Sequence, residues 1–337
     1  MFDFIPDHYF LFVFGLILLI KGGDWFVDAA SGIAKRFKLP ELLIGATVVS
    51  IGTTLPEVMT SALAAAGESG EIAYGNAIGS IICNTSLIAA ITIAIKPAKA
   101  DKKALIFPVC FFFGAAAFYA FNAYVFGKFD LWTGIVLLVG FVVYMVINVL
   151  NMKKNPEESH DEAESLDAPE IEENDKGGLV KDILVLIGGA AVIAVGAHLL
   201  VKSATIIAEE LGLPESVIAL TVVALGTSLP ELVTAITALM KGHGALSLGN
   251  IIGANIFNLV LVSGVAVVIS PFTVPETSEL FGQNASLVLD VPVVFVVMAL
   301  MTLPTIFRGK LARWQGISLL AIYAAFSVLQ FVFVKSV

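Results

Sequence analysis

The sequence predicts an all-α integral membrane protein: ten transmembrane helices arranged as two inverted five-helix repeats. Three observations predict it. The chain of 337 residues is 58% hydrophobic and only 14% charged, with a mean hydropathy of +0.94, whereas soluble domains are about half apolar and a quarter charged. Ten mostly apolar runs are each long enough to cross a bilayer. A block of residues recurs without a gap 174 positions downstream.

The first five runs are 8–34, 40–66, 72–95, 104–126 and 129–151. Met1 to His8 holds Asp3 and Asp7 and no Lys or Arg. A cleaved signal peptide carries a basic n-region, so the first run reads as a retained span. Residues 152–178 interrupt the pattern. Ten acidic residues and no Lys or Arg lie between Glu157 and Asp175, and such a segment cannot bury enough apolar surface to fold alone. It reads as a linker between unit 1–151 and unit 179–337. The second five runs are 179–207, 214–240, 244–270, 284–306 and 312–334. The formal net charge of −9 originates in the linker; the rest is nearly balanced and offers no surface for nucleic acid. Cys83 and Cys110 both fall in apolar runs and read as packing residues. Two such cysteines make neither a disulfide framework nor a thiolate metal site.

Basic residues set the orientation. Fifteen of the 19 Lys and Arg fall on alternate connections, from Lys35 to Arg313; the opposite connections hold only Lys128 and Lys335, and Lys21 and Lys202 lie within spans. The fifteen are expected on the cytoplasmic side, which places the 152–178 linker in the cytoplasm and both termini outside. The expected location is the plasma (inner) membrane. Trp132 and Trp314 fall at span ends, as interfacial aromatics do.

The repeat pairs Gly52-Thr53-Thr54-Leu55-Pro56-Glu57 with Gly226-Thr227-Ser228-Leu229-Pro230-Glu231, and Gly75-Asn76 with Gly249-Asn250. Five spans per unit is an odd number, so the second unit enters from the opposite side, and sites of such repeats lie where the units meet. Glu57 and Glu231 sit four residues past the middles of spans 2 and 7. That is about 6 Å at 1.5 Å per residue, close to the bilayer midplane. A buried acid there costs roughly 2.5–3.5 kcal/mol even on mild insertion scales, and here the cost recurs at equivalent positions. Pro56 and Pro230 deprive the carbonyls of Gly52 and Gly226 of their helical partners, so the backbone around Thr53 and Thr227 is expected to open and to supply ligands. Ser80, Asn84 and Asn258 add oxygens from spans 3 and 8 at one-turn spacing. Every candidate donor is oxygen, and no His or Cys accompanies them. That excludes zinc and copper and suits calcium or sodium, with magnesium disfavoured by its retained waters.

These segments resemble the paired alpha repeats of the sodium/calcium exchanger family of the calcium/cation antiporter superfamily, in its bacterial and archaeal form. They lie within residues 45–88 and 219–262. The resemblance implies a secondary antiporter, not an enzyme, that needs no cofactor beyond its transported ions. It implies calcium held by Glu57, Glu231 and the backbone oxygens of Thr53 and Thr227. It implies sodium sites that share the glutamates and add Ser50, Thr54, Ser80, Ala224 and Ser228, with Asn84 and Asn258 nearby. It further implies that spans 1 and 6 slide across the other eight to alternate access. The chain departs from many members in carrying Asn at both 84 and 258, and Ala254 where many have Ser.

The expected partners are calcium, sodium and the bilayer, and a monomer is compatible with this reading. An empty site with two carboxylates should not cross the apolar barrier; one calcium, two sodium ions or two protons would neutralise it. A proton/calcium exchanger and a potassium-dependent exchanger therefore stay open as alternatives, with a calcium channel behind them. Lys21 and Asp24, one turn apart, are expected to pair, His198 to be packed, and Asp28 and Lys202 to reach toward the span ends.

Overall fold

The computed structural model describes residues 7–37, 39–97, 100–154, 176–210, 226, 228–276 and 278–336. Among these residues the chain forms ten helical rods, which we number in order. They are α1 (Asp7–Arg36), α2 (Glu41–Ala66), α3 (Gly70–Ile95), α4 (Lys102–Phe126), α5 (Leu131–Lys154), α6 (Lys176–Glu210), α7 (Leu229–Met240), α8 (Gly244–Ile269), α9 (Ser286–Arg308) and α10 (Arg313–Val328). All except α7 and α10 are long and apolar enough to cross a membrane, which makes eight candidate spans among the described residues. The protein is a membrane protein on this count. Most of the acidic 152–178 segment lies outside the described residues, although α5 continues to Lys154 and α6 begins at Lys176.

Local structure repeats along the chain. The α2–α3 turn is closed by Ser69 N–H donating to Ala64 O at 2.8 Å, and the α7–α8 turn by His243 N–H donating to Ala238 O at 2.8 Å. Both turns need a left-handed residue after the helix; Gly242 supplies it at φ +87°, and Glu68 holds the equivalent place at φ +58°. Within these hairpins Ser61 Oγ donates to Ala73 O and Ser247 Oγ to Ala235 O, which is one contact with the hydroxyl on opposite members. Further on, the offset becomes 182. Left-handed Gly127 and Gly309 follow α4 and α9, and α5 and α10 start at Leu131 and Arg313. The extra eight residues fall in the 270–285 connection, which carries the short strands β2 (Phe272–Thr273), β3 (Ser278–Leu280) and β4 (Gln283–Asn284).

Two glycines set the helix directions. A Cβ on Gly249 would strike Leu42 and one on Gly253 would strike Ala46 and Ser50, so α8 runs backbone-close and parallel to α2. Because α7 is antiparallel to α8 across its tight turn, α7 runs opposite to α2. α1 and α6 lie antiparallel, and Gly15 and Gly196 each bring their backbone against the other helix. Side chains of α1 and α6, with the edges of α2, α7 and α8, form one apolar core. A larger core is built from α3, α4, α5, α8, α9 and α10.

Each end of the bundle collects one set of connections. At one end β1 (Lys128–Phe129) pairs with β2, β3 pairs with β5 (Val334–Ser336), and Gly70 meets Phe272. At the other end Ala100 N–H donates to Gly309 O at 3.0 Å, His243 meets Glu41 at 2.7 Å, and Arg36 meets Asp182 at 3.4 Å. This second end is the one rich in Lys and Arg. Asp24 is not paired with Lys21 as the spacing suggests. Lys241, at the close of α7, bridges Asp24 at 3.4 Å and Asp28 at 2.8 Å, because the α1–α7 contact brings a cation nearer than the same-helix lysine, which is itself exposed. Cys83 is buried, but Cys110 is exposed on α4.

Candidate functional site

Glu57 and Glu231 are both 0% exposed. Glu57 sits mid-way along α2, and Glu231 sits in the first turn of α7, which starts after Ser228 (φ −91°, ψ 6°) with Pro230 in that turn. The expected opening at the prolines therefore differs between the two. α2 stays helical through Pro56, and its irregularity is displaced to a π-helical segment, Gly45–Val49. There Tyr144 of α5 donates to Ala46 O at 3.2 Å. Thr227 and Ala224 lie outside the described residues.

The charge of Glu231 acts on Glu57, and α2 packs against α7. Spans 3 and 8 each break into a π-helical segment, Asn84–Ala89 and Asn258–Val262. Both open on the asparagine the repeat equates. An extra residue per turn rotates a side chain out of the regular ladder and is common at functional sites. α7 touches the segment that starts at Asn84, and α2 touches the one that starts at Asn258. The candidate residues thus converge from both halves of the chain.

Several polar atoms at this convergence have no protein partner among the described residues. Both carboxylate oxygens of Glu57 and of Glu231, both amide atoms of Asn84 and of Asn258, and the hydroxyls of Thr54 and Ser228 are buried with no hydrogen-bond partner among the described residues. Each orphaned polar group costs about 1–3 kcal/mol, and charged groups cost more. Buried polar groups are otherwise nearly always paired. Eight of these ten atoms are oxygens, and together they form a ligand set that suits a hard cation such as calcium or sodium. Ser50, Thr53 and Ser80 are buried at the same level.

Other residues hold these in place, and the sequence reading did not single them out. Asn250 Oδ1 accepts from Ser50 Oγ and from Thr53 Oγ1, each at 3.3 Å. Its repeat counterpart Asn76 donates Nδ2 to Glu57 O at 3.1 Å and to Ser61 Oγ at 2.8 Å. Asn255 donates to Thr85 Oγ1 at 2.7 Å, joining α8 to α3 next to Asn84. The Gly-Asn pairs in the repeat were the signal for the first two. Ala254 is fully buried between Asn250 and Asn258 on α8. His198 is not packed: it is exposed on α6 and lines an apolar cavity of about 700 Å³ together with Phe26, Gly52, Pro56 and Pro230.

The family model described as sodium/calcium exchanger protein matches residues 8–150 and 181–332. The chain is 33% identical to the sodium/calcium exchanger MaX1 of Methanosarcina acetivorans over 97% of its own length and 99% of the relative's. It is 36% identical to the membrane protein MJ0091 of Methanocaldococcus jannaschii over 93% of its length and 94% of the relative's. Among solved structures, the sodium-calcium exchanger NCX_Mj soaked with 2.5 mM Na+ and 10 mM Sr2+ superposes with a TM-score of 0.78 at 33% identity, covering 97% of this chain and 99% of that one.

Proposed function

The chain belongs to the sodium/calcium exchanger family, and from that premise we propose that it is a secondary antiporter exchanging calcium for sodium across the plasma membrane. Glu57 and Glu231 act as the shared cation ligands. The single observation that carries this reading is the cluster of eight orphaned oxygens, four of them from two fully buried carboxylates. Calcium is held by both carboxylates and by the backbone oxygens at Thr53 and Thr227. Sodium uses the same carboxylates with Ser50, Thr54, Ser80, Ala224 and Ser228, and Asn84 and Asn258 line the site.

The cycle follows from charge. The two carboxylates are costly to carry through an apolar barrier unless a cation neutralises them. Calcium can therefore leave one face only if another cation takes its place. Access alternates as the α1–α6 pair, which dominates one of the two larger apolar cores, slides across the rest. The ten helices form two inverted repeats, 1–151 and 179–337, joined by the linker 152–178. The opposed directions of α2 and α7, and the recurrence of turns and π-helical segments at one offset, support that architecture. The basic end faces the cytoplasm, with the linker there and both termini outside.

The test is calcium uptake into proteoliposomes loaded in turn with sodium, potassium or a proton gradient. Sodium-driven uptake that Glu57→Gln and Glu231→Gln each abolish, with the variants still inserted and monodisperse, is expected. Uptake driven only by protons would replace sodium as the coupling ion, and wild-type rates in either variant would remove the glutamates from the site.

A further inference from the structure

α7 buries one stripe of its surface. Glu231, Thr234, Ala235 and Ala238 are each 0% exposed, which is the spacing of a single helix face, and Met240 on the far side is 81% exposed. Two members of the stripe are polar. Thr234 follows Glu231 by three residues, so the two side chains are neighbours on the helix surface. At 1.5 Å per residue Thr234 lies about 4.5 Å further toward Lys241 and the basic end.

Thr234 Oγ1 is buried with no hydrogen-bond partner among the described residues. Other hydroxyls on the helices of this bundle satisfy themselves locally. Thr47, Ser86, Thr302 and Thr305 each donate to the carbonyl one turn earlier, at 2.5–2.7 Å. For Thr234 that carbonyl belongs to Pro230, and the hydroxyl leaves it. The first repeat treats its hydroxyl differently. There Ser61, one turn past Glu57, accepts from Asn76 Nδ2 at 2.8 Å and donates to Ala73 O. In the second repeat position 235 is Ala, and Asn250, the counterpart of Asn76, is bonded to Ser50 and Thr53 of α2. Thr60, the counterpart of Thr234, is partly exposed and lines the apolar cavity. The buried, orphaned hydroxyl one turn past the glutamate therefore belongs to the second repeat alone. It stands with Thr54 and Ser228, the other buried hydroxyls of α2 and the α7 start that have no partner among the described residues.

Resting on the exchanger reading above, we propose that Thr234 Oγ1 is a further ligand of the calcium ion that Glu231 holds, on the basic-end side of that carboxylate. Calcium takes about six to eight oxygens. Two carboxylates and two backbone oxygens supply about four to six of them, depending on whether the carboxylates bind through one oxygen or both. The shell has room for a hydroxyl. Packing alone does not account for Thr at this position, because Val fills the same space without burying an unpaired polar atom.

The experiment follows thermal unfolding of the full-length, detergent-solubilised protein in chelator, then across separate calcium and sodium titrations. Thr234→Val should be at least as stable as the parent in chelator, since the lost hydroxyl had no partner. The calcium concentration that gives half the maximal shift should rise about tenfold or more, and the sodium concentration by clearly less. Thr234→Ala, which removes the same hydroxyl, should weaken calcium alike. Thr234→Ser should return calcium to within about twofold of the parent, and Thr60→Val should leave it unchanged. A parent-like calcium titration in Thr234→Val overturns the proposal. Lost stability in chelator that Thr234→Ser restores overturns it too, because the hydroxyl is then structural. Equal weakening of calcium and sodium overturns the assignment to calcium. Glu231→Gln separates the two readings. If it keeps the calcium shift, the exchanger site itself is misplaced; if it loses the shift while Thr234→Val keeps it, the Thr234 assignment alone is wrong.

Discussion

Replacing Glu231 with Gln should stabilise the protein in the absence of cations while destroying its response to calcium. Glu231 is fully buried, neither carboxylate oxygen has a partner among the described residues, and it feels the charge of Glu57. An unpaired buried charge costs several kcal/mol, whereas an orphaned neutral amide costs about 1–3 kcal/mol. The exchange of one for the other is therefore worth roughly 1–3 kcal/mol in favour of the variant. For a chain this large, 1 kcal/mol moves the unfolding midpoint by about 2 °C or slightly more, so a rise on the order of 2–6 °C is expected in chelator. With calcium at about 1,000 times its dissociation constant the parent protein should gain about 4.1 kcal/mol, and the variant close to nothing. The order of stability thus reverses between the two buffers. The assay is thermal unfolding of detergent-solubilised protein followed by tryptophan fluorescence, in chelator and across a calcium titration. A variant that is less stable than the parent in chelator, or that keeps the parent's calcium shift, would refute the reasoning.

Three further outcomes are expected. Ala254→Ser restores a hydroxyl at the position equivalent to Ser80; it should lower the sodium concentration for half-maximal exchange roughly tenfold to hundredfold and leave calcium affinity unchanged, as read by vesicle efflux titrated with each ion. Glu68→Gly removes a side chain from a left-handed position (φ +58°) that its counterpart Gly242 fills without strain, and should raise thermal stability by about 0.5–1 kcal/mol; a loss of stability would show that the Glu68 side chain itself holds the turn. A cysteine at Ser159 in the linker should react with impermeant reagents only from the cytoplasmic face; labelling of intact cells would reverse the orientation.

Much of the fold was legible because depth and chain direction follow from composition and periodicity. Apolar length marks a span, and an ungapped offset of 174 marks a repeat. The two glutamates stood out because a lone acid at mid-span is costly wherever it points. Partners were less legible. Asn250 reaches Thr53, Asn255 reaches Thr85 and Lys241 reaches Asp28 across separations of 170 to 213 residues, and no local pattern encodes which of several helices will lie alongside. Lys21 and Asp24 illustrate the error: one-turn spacing gave a plausible pair, but a second helix supplied a nearer cation. The offset change from 174 to 182 was hidden because the helices beyond α3 and α8 are apolar runs with few shared letters, and it is seen only from the left-handed caps at Gly127 and Gly309. Pro56 misled because a missing amide hydrogen frees a carbonyl without obliging the helix to break.

The Lys241 bracket has no twin. Its two acids, Asp24 and Asp28, correspond by the repeat to His198 and Lys202, and Lys241 itself corresponds to Gly67. A carrier with perfect pseudo-twofold symmetry would rest equally often facing either compartment. Here one orientation of α1 against α7 keeps an ion pair that the mirrored orientation cannot form. An exposed pair of this kind is worth about 0.2–1 kcal/mol, which tilts the resting population by roughly 1.4-fold to fivefold. Ions arriving at the disfavoured face must pull the carrier round before they bind, and their apparent affinity falls accordingly. Under the sliding motion proposed above, half-saturation measured from the two sides of the membrane should differ even for identical ligands, and Lys241→Gln should bring the two values together.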